Sequence, residues 1–274
     1  MTDMATINGI PVFGLGTYPL QGDDCVKTVL QALELGIRHI DTAQMYGNEH
    51  DVGRAIRECG LPRDDLFIVT KIDPGNVGKD RFADSVAKSM DDLGGPADLL
   101  LIHWPPEGGE FDAALDRLMA EKDKGMAAAV GVSNFTVGMM RRAVARTNGA
   151  VICNQVEFHP LLDQQRLLAE AKSLGLALSA YSPLARGAAL KPEVVQRIAR
   201  KLDRPPSEIV LRWIIQQGVI AIPMTTKREN AISNLRIFDF SLSDEDMSAL
   251  TALGTRQGRT VSPSWMAGRW DDET

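Results

Sequence analysis

The chain has 274 residues, of which 44% are hydrophobic and 24% charged, with a formal net charge of −6 at pH 7. Those values describe a globular protein able to bury a large core, and the length matches one α/β barrel without requiring a second domain. Lys and Arg are spread through the helical segments, so the basic stripe of a nucleic-acid binder and the basic face of a membrane binder are both excluded.

In chain order, residues 5–12 read as a hairpin turning at Asn8-Gly9, placed to plug the amino end of a barrel. Short apolar runs then recur at 12–15, 37–41, 66–71, 98–103, 128–132, 151–156, 176–181 and 219–222. Between and after them, helical spacing predicts segments at 24–35, 49–58, 80–93, 112–124, 137–146, 164–173, 192–202, 207–217 and 243–252. Near-continuous apolar strands alternating with helices predict a parallel sheet covered by helices, hence a (β/α)8 TIM barrel in a single domain over 1–274. Beyond residue 253 the pattern stops. The tail carries Gly254, Gly258, Pro263, Trp265, Gly268 and Trp270, which predicts a loop lying over the active face.

Chemistry-bearing residues sit where successive strands end: Asp41, Lys71, His103, Ser133-Asn134, Gln155 and Tyr181. In a parallel barrel those ends open on one face, so residues remote in sequence converge there. Tyr46 follows Asp41 closely. A tyrosine has an ordinary pKa near 10 and donates a proton weakly at neutral pH. A lysine ammonium beside it lowers that pKa, and a carboxylate behind the lysine keeps the ammonium charged. Asp41, Lys71 and Tyr46 supply such a relay, and His103 can orient a carbonyl oxygen against the tyrosine.

The segments 41–49 (Asp-Thr-Ala-Gln-Met-Tyr-Gly-Asn-Glu), Lys71, 101–105 and 131–135 resemble the aldo-keto reductase family. So do Gly14-Leu15-Gly16-Thr17, the run 154–160, Tyr181-Ser182-Pro183-Leu184 and Ile222-Pro223, so the resemblance covers nearly the whole chain. It implies that Tyr46 is the proton donor, that Lys71 and Asp41 tune it, and that His103 positions a small-molecule carbonyl substrate. It implies NADPH/NADP+ as cofactor, with NADH possible. Ser133, Asn134 and Gln155 would hold the carboxamide and Tyr181 would stack on the nicotinamide. Gly16, Thr17, Asp41 and Pro223 belong to the same cradle, and Ser182, Leu184 and Gly187 would follow the pyrophosphate. No G-x-G-x-x-G opens a βαβ unit, so the cofactor is not held as in a Rossmann domain.

The chain departs from the family pattern after Pro223, where Met224 replaces the usual lysine and Asn230 the usual arginine. Thr225, Thr226, Lys227 and Arg228, at the start of a helix, offer a substitute site for the adenosine phosphate. Asn234 is expected at the adenine. Tyr18, Met45, Trp104 and Trp265 are expected, by the same resemblance, to wall the substrate site. Short loops after His103 and Leu184 resemble bacterial members that reduce diketo sugars and methylglyoxal, which implies small aldehydes, α-dicarbonyls, keto acids or keto sugars as substrates.

Other residues read more plainly. His39, His50 and His159 are expected to be structural, Glu49 to cap or pair locally around 47–50, and Cys153 to be a buried, inert thiol. Three cysteines with no C-x-x-C fit reduced thiols in a cytoplasmic protein. No apolar run reaches the roughly 18 residues of a membrane helix, and the start, Met-Thr-Asp-Met-Ala, lacks a leader pattern. A monomer or weak oligomer is expected, with no resident metal. Two rival readings remain at this level: a metal-dependent barrel hydrolase using Asp41, His103 and His159, and a non-catalytic nicotinamide-binding regulatory subunit.

Overall fold

The computed structural model describes residues 5–270; the expected leaderless start at 1–4 and the last four residues lie outside them. A two-stranded antiparallel hairpin, β1 (Thr6–Ile7) and β2 (Ile10–Pro11), precedes eight strands that pair in parallel and in chain order. These are β3 (Gly14–Gly16), β4 (His39–Asp41), β5 (Phe67–Ile72), β6 (Ala97–Ile102), β7 (Ala127–Ser133), β8 (Val151–Glu157), β9 (Ala177–Tyr181) and β10 (Ile220–Ala221). A Phe13–Ala221 bridge, the Ala221 N–H to Val12 O bond (2.9 Å) and the Gly16 N–H to Pro223 O bond (3.1 Å) join the first strand to the last. The sheet is thereby nearly closed, and surrounding helices make it the (β/α)8 barrel that the sequence predicts.

The helices are α1 (Gly22–Glu34), α2 (Glu49–Glu58), α3 (Phe82–Leu93), α4 (Phe111–Asp123), α5 (Val137–Arg146), α6 (Gln165–Ser173), α7 (Glu193–Leu202), α8 (Pro206–Gln216), α9 (Arg228–Leu235) and α10 (Asp244–Thr251). Predicted bounds agree to within two residues. Helix α9, anticipated only by its start at 227–228, has polar residues at most positions and shows little of the periodicity that marks the others. None of the described helices is long and apolar enough to cross a membrane.

Strand alternation sorts the core into two layers. Val69, Leu99, Leu101, Cys153, Ala177 and Ile220 pack together in the barrel lumen, whereas Ile68, Ile72, Leu100, Ile102 and Val130 pack with the helices. The lumen is closed at its amino end by the hairpin, whose Ile10 is buried among these residues. Asn8, in the left-handed region (φ 51°), ties the turn down by donating to Ile152 O (3.0 Å) and Gly175 O (2.8 Å). His39 is structural, as expected: its ring lies 3.1 Å from Pro11 O through Nδ1 and edge-on to Phe67. It fits because position 14 is glycine, where a Cβ would stand 2.6 Å from His39 Cγ. Cys153 is buried in the lumen, which raises its thiol pKa far above the ordinary value.

Helices α2 and α3 pack tightly at Gly53, where an added Cβ would stand 2.0 Å from Asp92 O and 2.9 Å from Leu93 Cα. Helix propensity alone favours Ala over Gly by about 1 kcal/mol. Overpacking costs about 1–3 kcal/mol and wins here, because the obstructing atoms are backbone. Gly53→Ala is therefore expected to lower the denaturant midpoint and Tm; an unchanged or higher Tm would show that the two helices separate freely.

Candidate active site

The site is built from the inward, carboxyl-terminal positions of the strands. Lys71 lies one alternation beyond Val69 on β5, so its side chain enters the lumen, where it is 0% exposed. Its ammonium has three donors, and three acceptors surround it: Asp41 Oδ1 at 2.6 Å, Thr42 O at 2.7 Å and the Tyr46 hydroxyl at 3.3 Å. Burial opposes the ammonium charge, but Asp41 and the Tyr46 hydroxyl outweigh it, and the pKa lies above lysine's ordinary value. The relay expected from Asp41, Lys71 and Tyr46 is thus assembled. Its effect on the tyrosine differs from expectation: Lys71 does lower the pKa of Tyr46, but burial raises it more, so the phenol is held protonated.

His103 follows β6 and sets its ring 5.6 Å from that of Tyr46 at 79°. Burial, then the Lys71 charge, pushes its pKa well below the ordinary value, so the imidazole is neutral at pH 7. Nδ1 has no hydrogen-bond partner. A protonated phenol and a neutral imidazole side by side form a pair able to hydrogen-bond one oxygen atom between them.

Tyr46 ends a short 3-10 turn, Gln44–Tyr46, that leaves β4 and stops at Gly47 with φ 66°. Three side chains unremarked in the sequence hold that turn. Gln44 accepts from Asp73 N (2.9 Å) and Asn76 Nδ2 (3.0 Å) and donates to Ser85 O (3.1 Å) and Ser89 Oγ (3.0 Å). Gln21 donates to Tyr46 O at 2.6 Å, and Asn48 donates to Leu20 O at 2.9 Å while accepting from Thr42 Oγ1 at 2.6 Å. Glu49 does not cap or pair locally. It reaches across to Thr70 on β5 and Ser89 on α3, and burial raises its pKa. The density of polar residues from 41 to 49 was the available signal.

The residues assigned to a carboxamide form one network joined to the relay. Ser133 Oγ donates to Gln155 O (2.8 Å), Asn134 Nδ2 donates to His103 O (3.0 Å), and the Tyr181 hydroxyl donates to Asn134 Oδ1 (2.7 Å). Gln155 Nε2 donates to Asp41 Oδ2 at 2.7 Å, so the carboxylate that holds Lys71 also holds Gln155. Thr17 is buried and donates through Oγ1 to Asp41 O at 3.0 Å. Asn134 (φ 64°), Ser182 (φ 47°), Ala185 (φ 46°) and Arg186 (φ 52°) all occupy the left-handed region, together with Gly187. Such backbone is costly for residues with a Cβ and concentrates at ligand sites. Ser182, Leu184 and Gly187 lie along this loop at the mouth, beyond Tyr181.

After β10, Pro223 seats the chain on Gly16, Met224 is exposed, and Thr225 Oγ1 accepts from Lys227 N at 3.2 Å. Lys227 precedes α9. Arg228 points instead to α1, where Glu34 takes its guanidinium at 2.8 and 3.2 Å. Thr226 stands beside them, and Asn234 is buried further along α9.

The expected substrate wall surrounds Tyr46 and His103. Tyr18 is 5.2 Å from the Tyr46 ring, Trp104 is 6.3 Å from His103, and Trp265 meets Trp104 edge-on at 6.1 Å. Tyr18, Met45 and Trp265 are all exposed, which gives the mouth an apolar rim. The metal-hydrolase reading fails on geometry: Asp41 is spent on Lys71 and Gln155, and His159 Nε2 is 3.0 Å from Glu157. Among the described residues no three His, Cys, Asp or Glu side chains are grouped to hold a metal.

Residues 7–255 match the Aldo/keto reductase family. Methylglyoxal reductase DkgB of Escherichia coli O157:H7 is 42% identical over 266 residues, covering 96% of this chain and 99% of that protein. An aldo-keto reductase of Mycolicibacterium smegmatis is 38% identical over 93% of both chains. A crystal structure assigned as a 2,5-diketo-D-gluconic acid reductase B superposes with a TM-score of 0.95 at 36% identity, over 99% of this chain and 98% of that one. A barrel of this topology, the assembled relay and matches along nearly its full length establish that the chain belongs to the aldo/keto reductase family of carbonyl-reducing oxidoreductases.

Proposed function

We propose that this enzyme reduces small aldehydes, α-dicarbonyls, keto acids or keto sugars to alcohols, with NADPH as its cofactor and Tyr46 as its proton donor. The observation that carries the reading is the buried Lys71 ammonium, held by Asp41 and set 3.3 Å from the Tyr46 hydroxyl. When bound, the nicotinamide supplies a hydride for the carbonyl carbon. The chain supplies the rest. Tyr46 gives its proton to the carbonyl oxygen, the Lys71 ammonium stabilises the negative charge left on the phenol, and neutral His103 hydrogen-bonds and orients the same oxygen.

Ser133, Asn134 and Gln155 suit a carboxamide because hydroxyl and amide groups match both its donor and its acceptor end. Tyr181 offers a planar face for the ring. For the adenosine phosphate, Lys227 and Arg228 are the cations at hand. Arg228 is engaged with Glu34, but an exposed ion pair is worth only about 0–1 kcal/mol, and a phosphate can take the arginine from it. An intact relay favours turnover over the regulatory-subunit reading, which leaves a buried lysine without work. The names of the relatives, methylglyoxal reductase and 2,5-diketo-D-gluconic acid reductase, support small activated carbonyls.

Tyr46→Phe is expected to lower kcat by a factor on the order of 10²–10⁴ while leaving cofactor affinity nearly unchanged. Lys71→Met should fall comparably, since the tyrosine then faces burial without a counter-charge. Near-wild-type turnover of Tyr46→Phe in a cofactor-oxidation assay would remove it as proton donor.

NADPH should bind more tightly than NADH, because charge-assisted hydrogen bonds to a phosphate contribute about 1.5–3 kcal/mol each. Arg228→Ala should narrow the ratio of the two dissociation constants. Equal affinities in the wild type, or a ratio indifferent to Arg228, would place the phosphate elsewhere.

Among substrates compared at one NADPH concentration, methylglyoxal and a diketo-gluconate should show higher kcat/KM than a 3-ketosteroid. An open apolar rim gives limited binding energy, so an activated carbonyl gains most from Tyr46 and His103. A ketosteroid ranking first would refute this, and a ranking unaffected by Trp104→Ala would take Trp104 out of the wall.

A further inference from the structure

We propose that Glu157 is a specificity-determining positioning residue: its buried carboxylate anchors the carboxyl-terminal segment on the barrel mouth and thereby sets the tryptophan wall of the substrate cleft. Glu157 is the last residue of β8, two beyond Gln155 on the same inward face, and pairs in register with Tyr181. It is 0% exposed. Its two oxygens take four donors: His159 Nε2 (3.0 Å), Thr260 N (2.7 Å), the Thr260 hydroxyl and Val261 N (3.0 Å). Oε1 takes His159 Nε2, Thr260 N and the Thr260 hydroxyl, Oε2 takes Val261 N, and three of the four donors come from the tail.

The burial cost explains why the anchor is strong. A carboxylate removed from water costs several kcal/mol unless it is paired or fully hydrogen-bonded. Here the tail's N–H and O–H groups, with His159 beside them, meet that need. Those bonds override burial and hold the Glu157 pKa below the ordinary glutamate value.

From residues 260–261 the constraint passes along the tail to the cleft. Val261 packs on Trp104, Met266 and Trp270. Arg259 stacks 3.7 Å over the Trp270 ring, and Trp270 donates to Ser262 Oγ at 3.2 Å. Trp270 and Trp265 each meet Trp104 in an edge-to-face contact, and Trp104 lies against His103. Elsewhere the segment is pinned near its ends, by Thr255 pairing with Leu161 and Asp163 and by Arg269 Nη2 donating to Pro106 O at 3.3 Å. Glu157 supplies the hold between those ends. It touches neither Tyr46 nor Lys71, and its effect on catalysis, which rests on the carbonyl-reductase reading above, runs through the position of Trp104 and Trp265.

The test uses the full chain with Glu157→Gln and Thr260→Val. Thr260 is exposed, so its variant should fold even where loss of the buried carboxylate does not. Two readouts need no carbonyl chemistry. Three of the four tryptophans, Trp104, Trp265 and Trp270, lie in the anchored cluster, so emission should shift to the red. Tryptic cleavage after Arg256 and Arg259 should accelerate about tenfold, the equivalent of about 1.4 kcal/mol, near the size of one charge-assisted hydrogen bond. With NADPH, KM for methylglyoxal should rise by a similar factor while kcat and NADPH affinity hold, and discrimination against a bulky aromatic aldehyde should shrink. Unchanged emission and cleavage in both variants would overturn the anchor. A loosened tail with unchanged KM and unchanged discrimination, or a loss confined to kcat, would overturn its role in specificity. A wild-type protein inactive on every carbonyl would overturn the function instead, leaving the emission and cleavage results to stand alone.

Discussion

The ion pair between Lys71 and Asp41 governs the design of this barrel. An ammonium and a carboxylate in the lumen of a packed core are a poor source of stability, since desolvation offsets much of their attraction and apolar residues of the same volume serve as well or better. Yet the surroundings are arranged to satisfy both. The three donors of Lys71 are met by Asp41, a main-chain carbonyl and the Tyr46 hydroxyl, and the second oxygen of Asp41 is met by Gln155. Removing one member would strand the other, at a cost of about 3–5 kcal/mol. A pair held at that expense fits the role proposed for the ammonium beside Tyr46.

The closed end of the barrel and its open end are built differently, as that chemistry requires. At the amino end, hairpin and histidine fill the lumen with apolar groups and one ring nitrogen contact. At the carboxyl end the lumen fills with polar groups, and the chain pays in backbone strain at Asn134, Ser182 and Arg186. Strain of that kind persists only where surrounding packing over-determines it, and here it frames the proposed cofactor path.

Much of this was legible in the sequence, for a definite reason. Strand alternation has a period of two, so an apolar run that ends in Asp41, Lys71 or Gln155 fixes which way that side chain points once the strands are parallel. The convergence of the relay follows from topology alone. What could not be read were the supports. Gln44 reaches residues about 30 to 45 positions away, Glu49 bridges two elements instead of capping its own helix, and Glu157 finds three of its four donors 103 and 104 residues later. Side-chain bonds to distant main-chain groups leave no periodic trace. Arg228 shows the same blindness in reverse: its place near a helix start was correct, but nothing in the local sequence announces Glu34, 194 residues earlier.

Asp41 has one oxygen on Lys71 and the other on Gln155. The proton relay and the amide cluster therefore share a single anion instead of standing as neighbours. Whatever draws Gln155 toward itself alters the hold of Asp41 on the ammonium, and whatever changes the ammonium's charge alters the hold on Gln155. Free-energy linkage makes that influence equal in both directions. On the proposed function, occupancy beside Gln155 and acidity beside Tyr46 are two readings of the same carboxylate.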